Sequence, residues 1–290
     1  MAASSEAMTR ICYVNGEFVP EDEARVSVFD RGFLFADGVY EVSTVLGGRL
    51  IDNEAHLRRL ARSLGELDMH APVPLEDIPS LQRELVVRNH LHEGVVYLQV
   101  TRGAADRDFK FPADAEPTLV MFTQELTIIE SPKARDGISV ITVPDIRWKR
   151  RDIKTVGLLG SVLAKEAARS RGADDAWLTE DGLVTEGASN NAYIVGHDGV
   201  VVTRHLSSEI LSGITRKAVL RLCDEEHLTV EERAFSLDEA LAASEAFVTS
   251  ASTLVWPVVK IDDVRIGDGR PGRIAPRLRA IYLEQAMAAD

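Results

Sequence analysis

The fold class of this chain is decided by residues 184–203, which read VTEGASNNAYIVGHDGVVVT. Two short apolar runs, residues 192–195 and 200–203, lie on either side of a Gly-His-Asp-Gly turn. Such runs predict two strands that a turn connects directly. A doubly wound α/β sheet alternates its strands with helices instead. This stretch therefore favours an α+β fold.

Outside this stretch the predicted strands also outnumber the helices, without strict alternation between the two. An Asn15-Gly16 hairpin signal follows the apolar residues 12–14. Further strands are predicted at 38–46, 95–102, 118–123, 138–143, 228–234 and 246–250. Helices are predicted to begin at Asp52 or Asn53 and at Gly213 or Ile214, and to cover residues 75–89, 156–171 and 272–287. The whole chain therefore fits an α+β protein.

Residues 127–137, TIIESPKARDG, contain a proline, charged side chains and a glycine between two apolar strands. This composition is typical of a linker. We therefore predict a small N-terminal domain at 1–128, an interdomain linker at 129–137 and a larger C-terminal domain at 138–290. A chain of 290 residues, of which 45% are hydrophobic, is long enough to form two such cores.

The net charge of -13, from 33 basic and 46 acidic residues, disfavours nucleic acid and anionic membranes as partners of the whole chain. No apolar run is long enough to predict a membrane span, and the N-terminal MAASSEAMTR lacks the apolar core of a signal peptide. Cys12 and Cys223 form neither a disulfide framework nor a metal-ligand pair. These features predict a soluble, cytoplasmic protein.

The strongest concentration of positive charge is the basic run at residues 147–154, RWKRRDIK, with five positive groups and one negative group. Composition alone leaves three interpretations open: a nucleic-acid or localisation patch, a solvated basic face, or an anion or cofactor site with a lysine beside it. Only seven lysines could supply an amine for covalent chemistry, and spacing alone does not favour Lys154 among them.

Three further segments carry groups that suit an anion or a cationic nitrogen. Glu186 stands among small hydroxyl and amide residues, where a turn with a solvated acid is favoured and a buried carboxylate facing a cationic nitrogen is the alternative. Gly213 begins a helix whose N–H groups could face an anion. The hydroxyls of residues 250–253 could complete a phosphate site, and Arg59 resembles a surface arginine in its local context.

Two other chemistries lack their signatures in this sequence. Neither a Gly-x-x-x-x-Gly-Lys-Ser/Thr phosphate loop nor a Gly-x-Ser-x-Gly nucleophile elbow occurs. His90 and His92 are two residues apart and cannot share a helix face as i, i+4 metal ligands do, so no metal site is predicted.

Taken together in this order, the segments resemble the fold-type IV pyridoxal-phosphate transaminases. The motifs that carry the resemblance span about residues 11–285: Asp30-Arg31-Gly32, Asp37-Gly38-Val39-Tyr40-Glu41, His56-Leu57-Arg58-Arg59-Leu60, Thr101-Arg102-Gly103, Asp152-Ile153-Lys154, Thr185-Glu186-Gly187, Gly213-Ile214-Thr215-Arg216 and Phe247-Val248-Thr249-Ser250. Within that group the chain looks most like the D-amino acid transaminases, because of residues 97–103 and Arg147-Trp148. The resemblance implies a two-domain fold whose C-terminal domain has a β-barrel-like core.

The resemblance also implies that pyridoxal phosphate is the cofactor and that Lys154 holds it as a Schiff base. Glu186 is expected to face the pyridine nitrogen, and Leu211 to pack against the ring. The cofactor phosphate is expected to contact side chains or backbone N–H groups of Arg59, Ile214, Thr215, Ser250 and Ser252. Amino-group transfer is then expected to pass through pyridoxamine phosphate, with the Lys154 amine moving the substrate Cα proton.

The predicted substrate residues fit the family less completely. The D-amino acid transaminases bind a carboxylate with a tyrosine, an arginine and a histidine two residues after that arginine. Tyr40 and Arg107 match the first two positions, but Phe109 stands in the third and supplies no hydrogen-bond donor. Phe109 could instead line an apolar pocket, which leaves room for some (R)-amine activity.

The resemblance predicts a homodimeric transaminase that moves the amino group of a D-alanine-like donor to a 2-oxo acid such as 2-oxoglutarate. Three alternatives share the cofactor motifs: a branched-chain L-amino acid transaminase, an (R)-amine transaminase and an aminodeoxychorismate lyase. A non-enzymatic acidic protein is the alternative outside the enzymes. For the enzymes, we expect Arg59, Arg107, the helix that begins at Gly213 and the basic run to concentrate positive potential in one pocket.

Overall fold

The computed structural model describes residues 9–288 and divides the chain into two compact units, Met1–Leu126 and Thr127–Asp290. The residues predicted to form a linker, 129–137, lie in the second unit, and Pro132–Asp136 forms a short helix there. The domain boundaries that the sequence suggested stay a prediction.

The N-terminal unit contains one antiparallel sheet of six strands. The strands are β1 (Ile11–Val14), β2 (Glu17–Pro20), β3 (Gly38–Leu46), β4 (Arg49–Ile51), β5 (Glu93–Thr101) and β6 (Thr118–Glu125), in the order β2-β1-β6-β5-β3-β4. The helices are α1 (Arg31–Phe35), α2 (Asn53–Glu66) and α3 (Ile78–Arg88). The predicted Asn-Gly hairpin is confirmed, because Val14 pairs with Glu17 across the turn and Asn15 has a φ of 47°.

Helix α2 places two polar side chains in the interior of this unit. Leu60 and Leu64 are buried, as the apolar spacing predicts for one face of the helix. His56 and Arg59 are also buried, at 2% and 8% exposure. Arg59 is therefore not the surface arginine that its local sequence suggests.

The C-terminal unit contains a larger, mixed sheet of nine strands. The strands are β7 (Ile138–Pro144), β8 (Asp175–Glu180), β9 (Leu183–Gly187), β10 (Asn191–Val195), β11 (Val201–Thr203), β12 (Val230–Glu232), β13 (Glu245–Ser250), β14 (Leu254–Ile261) and β15 (Val264–Arg265). The order is β12-β11-β10-β13-β14-β7-β8-β9, with β15 paired to β14. The helices are α4 (Pro132–Asp136), α5 (Leu159–Ser170), α6 (Ile214–Glu225), α7 (Leu237–Leu241) and α8 (Ile274–Ala288).

The large sheet is strongly curled, so that β9, the last strand in the order, lies next to β10, the third strand. Strands β9 and β10 stand far apart in the hydrogen-bonding order, yet only residues 188–190 connect them along the chain. The N–H of Gly187 donates to the carbonyl of Asn190 at 2.8 Å across this connection. The path from β10 through β13, β14, β7 and β8 to β9 therefore surrounds a barrel-like core. Trp177 and Phe235, with ring centroids 6.1 Å apart, are fully buried there.

The cysteines and the helices bear on two of the predictions made from composition. Cys12 and Cys223 are both free, buried thiols. Among residues 9–288, no helix combines the length and the hydropathy that a membrane crossing requires.

Candidate active site

Glu186 lies on strand β9 and is buried, with only 3% of its surface exposed. The strand forms because β8 and β9 pair as an antiparallel hairpin, in which Glu180 faces Leu183. The interpretation of this segment as a turn with a solvated acid is therefore wrong. The alternative, a buried carboxylate, is the one that the structure contains.

Three donors converge on the Glu186 carboxylate. Arg147 Nη1 donates to Oε1 at 2.6 Å, and Asn191 Nδ2 donates to Oε2 at 2.9 Å. The backbone N–H of Leu211 lies 3.2 Å from Oε2 and 3.3 Å from Oε1. Glu186 and Leu211, both predicted cofactor residues, are thus in direct contact.

Burial and charge oppose each other at this carboxylate. Burial raises the pKa of Glu186 above its ordinary value, and the Arg147 guanidinium only partly offsets that effect. Burial lowers the pKa of Arg147, but hydrogen bonds and charges from Asp145 and Glu186 outweigh it, so that this pKa is raised. Arg147 is consequently a permanent cation that two carboxylates share.

Asn191 connects the carboxylate to the neighbouring elements. Besides Glu186, its Nδ2 donates to the carbonyl of Leu211 at 2.9 Å. Asn191 also pairs with Thr249 in the β10–β13 ladder, one residue before Ser250. A Cβ added to Gly213 would collide with Asn191 Oδ1, so only a glycine fits there without a shift. Asn191 therefore joins Glu186, the start of α6 and the end of β13.

Helix α6 begins with backbone N–H groups that no side chain caps. Its N-cap residue is Gly213, which has no side chain, and the first helical residues are Ile214 and Thr215. The first N–H groups of any helix lack an acceptor within the helix, and the macrodipole makes this end partly positive. The predicted anion site at Ile214 and Thr215 therefore has free donors in the right place on a helix of 12 residues.

Hydroxyl groups cluster at the end of β13. Ser250 Oγ lies 3.3 Å from Ser252 Oγ and 2.8 Å from Thr253 Oγ1. Arg279 of α8 holds this segment, since its Nη1 donates to the carbonyl of Thr253 at 2.7 Å. Arg279 is a site-supporting residue that the sequence reasoning missed, because nothing local links residue 279 to residue 253.

The cations of the basic run are largely paired with carboxylates. Arg147 pairs with Asp145 and Glu186, Lys149 with Glu180, Arg150 with Asp152, and Arg151 with Asp145 and Glu180. The expected concentration of positive potential from this run is therefore much reduced. Lys154 is the last residue of the run and is partly exposed, in the connection between β7 and α5.

In the N-terminal unit, Arg59 belongs to a buried ion pair. Its Nε and Nη2 each donate to one oxygen of Glu41, both at 2.8 Å. His56 Nδ1 lies 2.7 Å from Glu41 Oε2 and carries the proton of this bond, because an ionised carboxylate can only accept. Burial opposes ionisation, but Arg59 and His56 hold the pKa of Glu41 at about 2.

The predicted substrate residues lie in two parts of the same unit. Tyr40 is on β3 and stacks on Tyr97, with ring centroids 5.5 Å apart. Arg107 and Phe109 lie on the connection between β5 and β6, and Phe109 is 77% exposed. The Arg107 guanidinium carbon is 5.5 Å from the centre of the Phe109 ring.

Comparison with known proteins gives relatives along nearly the whole chain. The D-alanine aminotransferase of Staphylococcus aureus (strain MSSA476) is 39% identical over 270 residues, which cover 92% of this chain and 94% of that protein. The D-alanine aminotransferase of Bacillus licheniformis is 40% identical over 265 residues, which cover 91% and 93%. Likeness of this extent indicates a common family.

Solved structures give the same fold. A T.th. branched-chain amino acid aminotransferase, solved with pyridoxamine 5′-phosphate, matches with a TM-score of 0.90 at 28% identity, covering 96% of this chain and 94% of that one. An Escherichia coli branched-chain amino acid aminotransferase also has a TM-score of 0.90, at 22% identity and 96% and 95% coverage. These matches confirm the α+β fold of the fold-type IV enzymes.

A family description, amino-transferase class IV, matches residues 38–261, which is more than half of the chain. The match includes the Glu186 centre, helix α6 and the hydroxyl cluster. The prediction of a transaminase that uses pyridoxal phosphate is thereby confirmed. The chain belongs to the class IV aminotransferases.

Proposed function

We propose that this protein transfers the amino group of a D-amino acid such as D-alanine to a 2-oxo acid such as 2-oxoglutarate. The observation that carries the substrate class is the 38–40% identity to proteins named D-alanine aminotransferase. The chemistry is supported by Glu186, the start of α6 and the hydroxyl cluster in the C-terminal unit.

The buried carboxylate of Glu186 suits the ring nitrogen of pyridoxal phosphate. When bound, this cofactor supplies a ring that accepts the electrons released at the substrate Cα. Arg147, Asn191 and the Leu211 N–H orient the carboxylate of Glu186, which can then hold a proton on a facing nitrogen. Burial strengthens that interaction because water does not compete for the charge.

The start of α6 and the hydroxyl cluster suit a phosphate group. Uncapped N–H groups at Ile214 and Thr215 supply donors without charge, and Ser250 and Ser252 supply hydroxyls. In the N-terminal unit, Glu41 fixes the direction of the Arg59 guanidinium, and Arg59 stays a predicted ligand of the cofactor phosphate.

Lys154 is proposed as the covalent anchor of the cofactor and as the base that moves the Cα proton of the substrate. Lys154→Ala is expected to abolish the bond that borohydride reduction makes permanent, as mass spectrometry of the reduced protein measures. Lys165→Ala is the matched control, since Lys165 also lies in this unit and pairs with Asp175 at 2.9 Å. Cofactor that stays covalently attached to the Lys154→Ala protein contradicts the assignment.

The substrate class is tested by half-reactions with single amino donors, followed through the cofactor absorbance. We expect D-alanine and D-glutamate to convert the cofactor faster than L-leucine or (R)-1-phenylethylamine. L-leucine is the second candidate donor, because solved structures of 28% identity are branched-chain amino acid aminotransferases. Conversion by L-leucine and by neither D-amino acid would replace the proposed function with that alternative.

A homodimer in the cytoplasm is proposed as the working form. Large apolar side chains of the C-terminal unit are exposed on and near α5: Ile146, Trp148, Leu159, Val162 and Leu163. A patch of this kind is typical of a surface that another protein covers. Leu159→Glu combined with Val162→Glu is expected to give monomers in sedimentation velocity. Val87→Glu, at a residue 67% exposed on α3, is expected to leave the dimer intact.

A further inference from the structure

The connection between β5 and β6 is anchored on both sides of Phe109. Arg31, which is 3% exposed, donates through Nη1 to the carbonyls of Asp108 at 2.6 Å and Lys110 at 3.3 Å. Its Nε donates to Asp37 at 2.7 Å, which fixes the arginine itself. The backbone of Phe109 is consequently held in place although its side chain is largely exposed.

Next to this anchored segment, the rings of Phe35 and Phe109 lie close to the guanidinium of Arg107. The ring centroids of Phe35 and Phe109 are 5.5 Å apart at an angle of 54°. The Arg107 guanidinium carbon lies 5.3 Å from the Phe35 ring centre and 5.5 Å from that of Phe109. Distances below about 6 Å give favourable cation–π attraction.

The N–H groups of the Arg107 guanidinium are available to a ligand. Within residues 9–288, the Arg107 guanidinium lies near these two rings and makes no hydrogen bond or ion pair. A guanidinium that interacts with aromatic rings retains N–H groups for a bidentate carboxylate. An exposed arginine without such rings samples many rotamers and loses more entropy when a ligand binds.

We propose that Phe109, together with Phe35, is a positioning residue that orients the Arg107 guanidinium for the carboxylate of the substrate. This inference rests on the proposed function, in which Arg107 binds that carboxylate. Phe109 thus contributes to carboxylate binding without a donor of its own. It does so through the ring, so an apolar side chain of similar size cannot replace it.

The test compares Phe109→Leu, Phe109→Tyr and the wild type as holoenzymes. Phe109→Leu keeps apolar volume but removes the ring, so KM for D-alanine is expected to rise about two- to fivefold, with kcat nearly unchanged. The inhibition constant of propionate, a carboxylate without an amino group, is expected to rise by the same factor. Phe109→Tyr keeps the ring and is expected to restore both values.

Phe33→Leu is the matched control, because Phe33 is 74% exposed in α1 and lies in the same part of the unit. It is expected to leave KM and the propionate constant unchanged. Any of three results overturns the inference. These are an equal rise of KM in Phe33→Leu, a lower kcat with unchanged KM in Phe109→Leu, or values of KM and the propionate constant in Phe109→Tyr that equal those of Phe109→Leu. If L-leucine proves to be the donor, the proposed function fails, and the same measurements with L-leucine and propionate still decide the role of Phe109.

Discussion

Among residues 9–288, each unit contains one pair of a buried glutamate and an arginine, and the two pairs differ in which acceptors the arginine donates to. In the N-terminal unit, Arg59 donates two hydrogen bonds to Glu41, and His56 adds a third. In the C-terminal unit, Arg147 donates only through Nη1 to Glu186. Its Nε and Nη2 donate to Asp145, at 2.9 Å and 2.6 Å.

This difference sets the pKa values of the two carboxylates in opposite directions. The pKa of Glu41 is held at about 2 against burial, whereas burial leaves the pKa of Glu186 raised. The negative charge of Asp145 adds to the rise at Glu186. A buried carboxylate is therefore firmly ionised when an arginine donates two hydrogen bonds to it and a histidine a third, and closer to protonation when a second carboxylate shares its arginine. The proposed partner of a cofactor nitrogen is the second kind.

The largest expected effect is that of Glu41→Gln on stability. Removing one partner of a buried ion pair leaves the other charge uncompensated, which destabilises a protein by roughly 3–5 kcal/mol. Glu41→Gln removes the carboxylate that accepts two hydrogen bonds from Arg59, which is only 8% exposed. Urea denaturation of the cofactor-free protein measures the loss.

The matched control for this variant is Glu54→Gln on α2. Glu54 pairs with Arg58 four residues later, and its side chain is 87% exposed. Exposed pairs of this spacing contribute about 0.3–0.5 kcal/mol. If Glu41→Gln destabilises the protein no more than this control, Arg59 does not depend on Glu41 for its compensation.

Glu186→Gln is expected to lower the unfolding free energy by less than Glu41→Gln does. Arg147 keeps both bonds to Asp145, so the variant leaves no cation without a carboxylate. The expected loss is roughly 1–3 kcal/mol, the range for buried hydrogen-bond partners left unsatisfied. Denaturation of cofactor-free protein is again the measurement, because bound cofactor would add its own stabilisation. A loss of unfolding free energy as large as that of Glu41→Gln would mean that Asp145 alone does not compensate the charge of Arg147.

The pH dependence of these two losses is expected to run in opposite directions. The folded pKa of Glu41, about 2, lies below its ordinary value of 4.5, so its stabilisation is complete above 4.5 and disappears as the pH falls toward 2. The folded pKa of Glu186 lies above 4.5, so its ionisation weakens the fold as the pH rises through that pKa.

Between about pH 6 and about pH 3, the difference in unfolding free energy between wild type and Glu41→Gln is therefore expected to shrink by roughly 2 kcal/mol. The corresponding difference for Glu186→Gln is expected to grow. Denaturation series at several pH values measure both. Parallel curves for the two variants would contradict the opposite pKa shifts.

The fold was largely predictable where the pattern is local. The Asn15-Gly16 hairpin, the start of α6 at Ile214 and the extents of β7 and β10 follow from turn residues and apolar spacing. Strand β14 was not predicted, because Pro257 interrupts its apolar run. Pro257 pairs with Phe247 in the ladder with β13, but the pairing of β14 with β7 begins only at Val258, so on that side the ladder does not need an N–H from the proline.

The site was less predictable, because its contacts join distant residues. Glu186 carried a motif, but no local pattern showed that Arg147, 39 residues earlier, would pair with it. Asp145 had no signal at all, although it accepts bonds from Arg147 and Thr185 in the folded chain. Family resemblance predicts roles for single residues, whereas the sharing of Arg147 between Asp145 and Glu186 is visible only in the folded chain.

The smallest expected effect is that of Lys149→Ala on stability. It tests whether the ion pairs of Glu41 and Glu186 stabilise the protein because they are buried. Lys149 pairs with Glu180 in the same basic run as Arg147, but the Lys149 side chain is 75% exposed. Solvent screens such a pair, and Glu180 retains Arg151 at 2.9 Å. Lys149→Ala is therefore expected to change the unfolding free energy by less than about 0.5 kcal/mol, and less still at high salt. A loss comparable to that of Glu186→Gln would show that the run acts as one coupled network, in which the surface charges support the buried carboxylate.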